Sequence, residues 1–154
     1  PKIKKGDLII GLKSNGFHSN GYSLIRKIIK TNKINIKKSI FNKKKLSDLL
    51  MKPTRLYHQY LRNNDLKIIK SISHITGGGL ISNFKRSIPN RTKFEIEIGK
   101  LPEDYNFILN NIEISKKELQ EIFNCGIGMV IVIDKKNYSY FIKRKIFKLI
   151  GEIK

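Results

Sequence analysis

The sequence predicts an α+β domain with one mixed, mostly antiparallel sheet covered by helices. Three observations carry that class. A strand, a glycine-containing polar turn and a helix follow one another twice, over Asp7 to Lys30 and over Leu66 to Ser87. Two further strand candidates stand outside those units: Thr92 to Ile98, which alternates apolar and charged residues, and the apolar run Met129 to Ile133. Helical stretches separate the strands without strict β-α-β repetition, which argues against a wholly parallel sheet.

In chain order, Asp7 to Leu12 is an apolar run of strand length. Lys13 to Phe17 turns sharply, with Gly16 available for a positive φ. Ser19 and Asn20 carry helix-capping side chains, and Tyr22, Ile25, Ile28 and Ile29 give the following helix one apolar face. Thr31 to Lys45 is rich in Lys and Asn without a clean period and reads as a solvated loop. Leu46 to Met51 reads as a short helix stopped by Pro53, and Pro53 to Tyr57 as extended chain. His58 to Asn64 reads as helical, with a turn at Asn63, Asn64 and Asp65.

The strand over Leu66 to Thr76 runs into Gly77, Gly78 and Gly79, and a helix follows from Leu80 to Ser87. Glu103 to Asn111 is a weaker helix. Ser115 with Glu118 forms a capping box that opens a helix to Phe123. Asn124 to Gly128 is a third glycine loop. Tyr138 to Phe147 reads as a basic amphipathic helix, and Lys148 to Ile153 as the last strand. A Pro at position 1 and an end just after a strand suggest a piece of a longer chain.

The 154 residues, 40% hydrophobic, are enough for one domain with a core that buries on the order of two-thirds of the unfolded surface. No apolar run approaches the roughly 20 residues of a membrane span, and Pro1 to Lys5 lacks the apolar region of a signal peptide. The single cysteine, Cys125, excludes an internal disulfide and fits a reducing compartment, so a soluble cytoplasmic domain is expected.

A net charge of +20 invites a nucleic-acid reading. The chain has no Ala and only two Val, while Ile, Lys and Asn abound, a shift that tracks A/T-rich codons. The lysines are spread over every segment. Much of the charge is therefore assigned to genomic bias, which a G+C-rich gene would contradict. Against that background seven of the eleven glycines fall in three short loops: Gly16 and Gly21, Gly77 to Gly79, and Gly126 with Gly128.

Ser14, Asn15, His18, Ser19 and Asn20 form a polar cluster between Gly16 and Gly21. It reads either as a helix cap with a tight turn or as a phosphate cradle in which His18 donates to an anion or a carbonyl. Thr76 with Gly77 to Gly79 offers the same choice, and three glycines exceed what a turn needs. Asn124 to Gly128 reads as a helix end or as a third part of a site. Cys125 has no His or Asp pattern that argues for a nucleophile, and no residue cluster has metal-ligand spacing. His58 and His74 are isolated and read as structural.

The segments Gly6 to Gly11, Gly16 to Arg26, Pro53 to Tyr57, His74 to Leu80, Phe123 to Met129 and Ile150 to Glu152 resemble, in order and spacing, the aminoimidazole ribonucleotide synthetase family. The resemblance covers nearly the whole chain and is to the family's C-terminal domain, that of a phosphoribosylformylglycinamidine cyclo-ligase. Related enzymes of the same fold include formylglycinamidine ribonucleotide synthetase, selenophosphate synthetase, thiamine-monophosphate kinase and a hydrogenase maturation protein. Asn15 departs from the Ser or Thr common there, and residues 31 to 45 match nothing in the family.

The resemblance implies ATP-dependent ring closure of formylglycinamidine ribonucleotide in purine biosynthesis. By it, ATP and Mg²⁺ are held mainly by an N-terminal domain that also makes the dimer interface, and this domain closes the cleft. Matching positions place Ser14, Asn15, His18, Ser19, Asn20 and Gly21 along the cleft, with His18 as the catalytic candidate. Thr76, Gly77, Gly78 and Gly79 would hold phosphate, and Asn124 and Gly126 would complete the site. No metal ligand is implied in this chain, nor a membrane or specific nucleic-acid partner. The rival classes are a related ATP-dependent enzyme of the superfamily and a basic nucleic-acid-binding module.

Overall fold

Strand β1, Leu8–Lys13, lies at the centre of a five-stranded sheet and is buried on both faces. Its near-continuous apolar run is what such a position demands. It pairs with β6, Ile127–Ile133, on one side and with β7, Phe147–Ile153, on the other. Outside β6 lies β4, Ile69–His74, and outside β7 lies β5, Phe94–Ile96. All four pairings are antiparallel, so the sheet is antiparallel throughout. The computed structural model describes residues 2–41 and 43–154; Pro1 and Asn42 fall outside them.

Alternation along the strands divides the core. One face carries Ile9, Val130, Val132 and Ile150 and is covered by α1 (Tyr22–Thr31), α2 (Leu46–Leu50), α4 (Gly79–Arg86) and α6 (Lys116–Ile122). The other carries Leu8, Ile10, Leu12, Ile131, Ile133 and Phe147 under Tyr57 and Phe141. Full burial of side chains such as Ile9 and Ile131 stabilises the fold by roughly 1.5–3 kcal/mol each.

Several elements depart from sequence expectation. Ser19 and Asn20 do not cap α1: the N-cap is Gly21 at φ 70°, with no side-chain cap bond. Asn20 instead turns inward and donates to the carbonyls of Phe17 and His18, each at 3.0 Å. A side chain at Gly21 would run into the Phe123 ring, 2.0 Å from an ideal Cβ. Nor does Gly16 take the left-handed turn; His18 and Ser19 do, at φ 48° and 62°.

Asn63 to Asp65 is no turn but the start of α3, Asn63–Ile68, which delays β4 to Ile69. The reason is long-range: Asp65 is wholly buried, accepts the backbone N–H of Arg62 and pairs with Arg144 at 2.8 Å. That same Arg144 lies over the Phe147 ring, and α7 is accordingly short, Tyr138–Ile142, with Phe147 already in β7. The helix read over His58 to Asn64 shrinks to a 3₁₀ turn, Tyr57–Tyr60. The loop read over 31–45 contains a small hairpin, β2 (Ile40–Phe41) with β3 (Lys44–Lys45). The weaker helix is a 3₁₀ turn, Glu103–Tyr105, followed by α5, Asn106–Leu109.

Candidate functional site

Register places the three glycine loops together. Met129 in β6 pairs with Leu12 of β1 on one side and with His74 of β4 on the other. Because both neighbours run antiparallel to β6, the C-terminal ends of β1 and β4 flank the N-terminal end of β6. The loops that follow β1 and β4 therefore leave the sheet on either side of the loop that feeds β6.

Hydrogen bonds fix this arrangement. Ser14 donates its N–H to Gly126 O at 2.8 Å, and Ile75 donates to Gly128 O at 2.9 Å. Leu80 donates to Phe123 O at 3.0 Å. The side-chain amide of Asn124 donates to the carbonyls of Gly16 and Phe17, while its oxygen accepts from Tyr105 Oη and the Gly126 N–H. Gly79, at φ 72°, sits against α6, where a Cβ would come 2.5 Å from the Glu121 carbonyl.

Within this end of the sheet the side chains divide into two groups. Asn20 and Asn124 are wholly buried and spend their amides on loop carbonyls. Ser19, Thr76, Gly77 and Gly78 are exposed, and Ser14 and Asn15 half-buried. The Ser14 hydroxyl donates to Gly16 O at 2.9 Å. The N–H groups of Thr76, Gly77 and Gly78 meet no acceptor among the described residues. Gly77 has a further property: its φ is not positive and a Cβ there would touch nothing, so the fold itself does not require glycine.

His18 is 3% exposed. Its Nε2 lies 3.3 Å from the backbone nitrogen of Asn15 and 3.4 Å from that of Arg55, and it also meets the side-chain oxygen of Asn15. The ring's other nitrogen, Nδ1, is buried and has no partner among the described residues. Burial, then the nearby His74 and Arg55, lower the ring's pKa to about 4. The histidine is neutral at pH 7. Tyr57 stands edge-on between the rings of His18 and His74, and its hydroxyl donates to Lys13 O at 3.1 Å.

A cavity of about 330 Å³ opens beside the first loop, lined by Ser14, Asn15, Gly16, Pro102, Glu103, Asp104 and Tyr105. Lys52 bridges to Asp104 at 2.9 Å on its rim. Cys125 is buried and its thiol is pushed up to about 12, which leaves no thiolate to act as a nucleophile. Among the described residues no group of three or more His, Cys, Asp or Glu side chains gathers to hold a metal, and no helix is long and apolar enough to cross a membrane.

The model of the AIR synthase related protein family, C-terminal domain, matches residues 4–153. The chain belongs to that family. Similar to this chain is a phosphoribosylformylglycinamidine cyclo-ligase of Nitrosospira multiformis, 39% identical over 134 residues. The match covers 85% of this chain and 38% of that relative, so the chain spans well under half the relative's length.

The three loops are legible in the sequence of this chain, whereas Tyr57, Arg55 and Asn83 are not. Asn83, on α4, donates to the carbonyls of Thr76, Gly77 and Gly79. Its signal in the sequence is a polar residue at helical spacing from Leu80 and beside Phe84 on a predicted helix.

Proposed function

We propose that this chain forms one wall of the cleft of a cyclo-ligase that closes formylglycinamidine ribonucleotide to aminoimidazole ribonucleotide. One observation carries the reading: in a member of this family, three polar glycine loops converge at one end of the sheet, and the N–H groups of Thr76 to Gly78 meet no acceptor among the described residues. In the reaction, the formyl amide oxygen takes the terminal phosphoryl group of ATP. The amidine nitrogen then attacks the formyl carbon, and phosphate departs with that oxygen as the imidazole closes.

In this reading Thr76, Gly77 and Gly78 hold the phosphate of the ribonucleotide through backbone N–H groups. Ser14, Asn15 and Ser19 offer side chains to the ligand. His18, with Nε2 against Asn15 and Arg55, serves the cleft in this reading by holding those two residues at its edge. Asn20, Gly21, Gly79, Asn124 and Gly126 shape the loops.

ATP is a co-substrate and Mg²⁺ its counter-ion. Among the described residues no group of carboxylates gathers as a Mg²⁺ site requires. We assign both to an N-terminal domain, with residues 1–154 as the single C-terminal domain of a cytoplasmic homodimer. Neither a membrane nor a specific nucleic acid is a partner in this account.

Calorimetric titration of formylglycinamidine ribonucleotide at physiological salt tests the reading. Saturable binding by the chain, lost in Gly77→Ile, is the expected result. Equal heats from both proteins contradict it, as does tight binding of duplex DNA with a steep salt dependence.

A further inference from the structure

We infer that Asn83 is the positioning residue of the glycine loop, drawing its carbonyls inward so that the N–H groups of Gly77 and Gly78 face the phosphate. The inference rests on the reading of that loop given above. Asn83 is 7% exposed and lies on α4 directly behind the loop. Its Nδ2 donates to Gly79 O at 2.6 Å, Thr76 O at 3.1 Å and Gly77 O at 3.2 Å. Its Oδ1 accepts from Arg86 Nη2 at 2.7 Å and from Thr76 Oγ1 at 3.3 Å. A guanidinium only donates, so the atom facing Arg86 is oxygen, and the orientation of the amide follows.

Planarity of the peptide unit does the rest. In a trans peptide the N–H of a residue points opposite to the carbonyl of the residue before it. Capture of the Thr76 carbonyl therefore turns the Gly77 N–H away from Asn83, and capture of the Gly77 carbonyl does the same for Gly78. The third capture checks the rule within the same loop. The Gly79 carbonyl faces Asn83, and the Leu80 N–H on its far side reaches Phe123 O at 3.0 Å. The N–H groups of Gly77 and Gly78, with no such partner, are left for a ligand.

A purely structural role would rest on the bond to Gly79 alone, an ordinary helix contact four residues back. Two uncharged variants separate the roles. Asn83→Leu keeps the volume and removes every donor. Asn83→Ser keeps one short donor that reaches Gly79 and leaves the Thr76 and Gly77 carbonyls unheld. Inorganic phosphate is titrated calorimetrically into each, and amide exchange at Gly77 and Gly78 is followed by NMR, with thermal melting as the control.

The expected result is a folded Asn83→Ser that binds phosphate about tenfold more weakly or worse, the scale of one lost hydrogen bond to a charged group. Exchange at Gly77 and Gly78 changes with it. Asn83→Leu shows at least the same loss; should it fail to fold, Asn83→Ser decides. Unchanged phosphate affinity in a folded variant overturns the inference. If the native chain itself binds no phosphate, the reading of the loop falls. The exchange of Gly77 and Gly78 then decides the hold of Asn83 alone, and unchanged exchange in both variants overturns it.

Discussion

Asn124 donates one side-chain N–H to the carbonyl of Gly16 at 2.9 Å, across 108 residues of sequence. The bond ties the loop feeding β6 to the loop leaving β1, and the same amide holds Phe17 O while its oxygen holds the Tyr105 hydroxyl. Asn124→Ala leaves the buried Tyr105 hydroxyl and the Gly126 N–H without their acceptor and removes one of the donors to each of the Gly16 and Phe17 carbonyls. It is expected to lower unfolding free energy by about 3 kcal/mol in urea denaturation. A loss under about 0.5 kcal/mol would mean that the loops hold each other by other contacts.

His18 makes the fold sensitive to acid. Burial first, then His74 and Arg55, depress its folded pKa from 6.5 to about 4. Between those values the unfolded ring binds a proton that the folded ring refuses, so stability rises with pH through the window and is lost as pH falls through it. The loss is about 3 kcal/mol, at ~1.36 kcal/mol for each pKa unit. Denaturation of the native chain and of His18→Gln at neutral pH and near the lower limit checks this. The variant is expected to lose less stability on acidification than the native chain; equal losses would remove His18 as the cause.

Two glycines in one loop are expected to behave oppositely. Gly79→Ala combines a φ of 72° with a Cβ 2.5 Å from the Glu121 carbonyl, and should cost more than ~3 kcal/mol or prevent folding. Gly77→Ala meets no atom and no positive φ, and should change stability by less than about 0.5 kcal/mol. Thermal melting of both proteins measures the contrast.

Cys125 should resist alkylation in the folded chain at pH 8. Its thiol is buried and raised to about 12, so the thiolate that reacts is scarce and shielded. Labelling at the rate of the urea-unfolded chain would show that the β6 entry loop opens readily.

The sheet was legible where strand pattern is a local property. β1 and β6 read as apolar runs because both of their faces are covered, and the capping box at Ser115 and Glu118 is a contact between near neighbours. The three glycine loops were legible because glycine is conspicuous in this composition. What escaped was decided at a distance. Asp65 starts a helix where Asn63 and Asn64 suggested a turn, because Arg144 reaches it from the other end of the chain. Asn20 abandons the cap that its side chain suits, because the carbonyls of Phe17 and His18 turn inward beneath it. Asn83 and Tyr57 gain their place at the site only when β4 lies beside β6 and the 3₁₀ turn Tyr57–Tyr60 folds over the strands.

The most direct test of the central claim is an amide NMR map of the chain titrated with formylglycinamidine ribonucleotide. Saturable shifts confined to the loops after β1, after β4 and before β6, largest at Gly77 and Gly78, are the expected result. Shifts spread over the lysine-rich surface of α1 and the β2–β3 hairpin, with those loops silent, would contradict it.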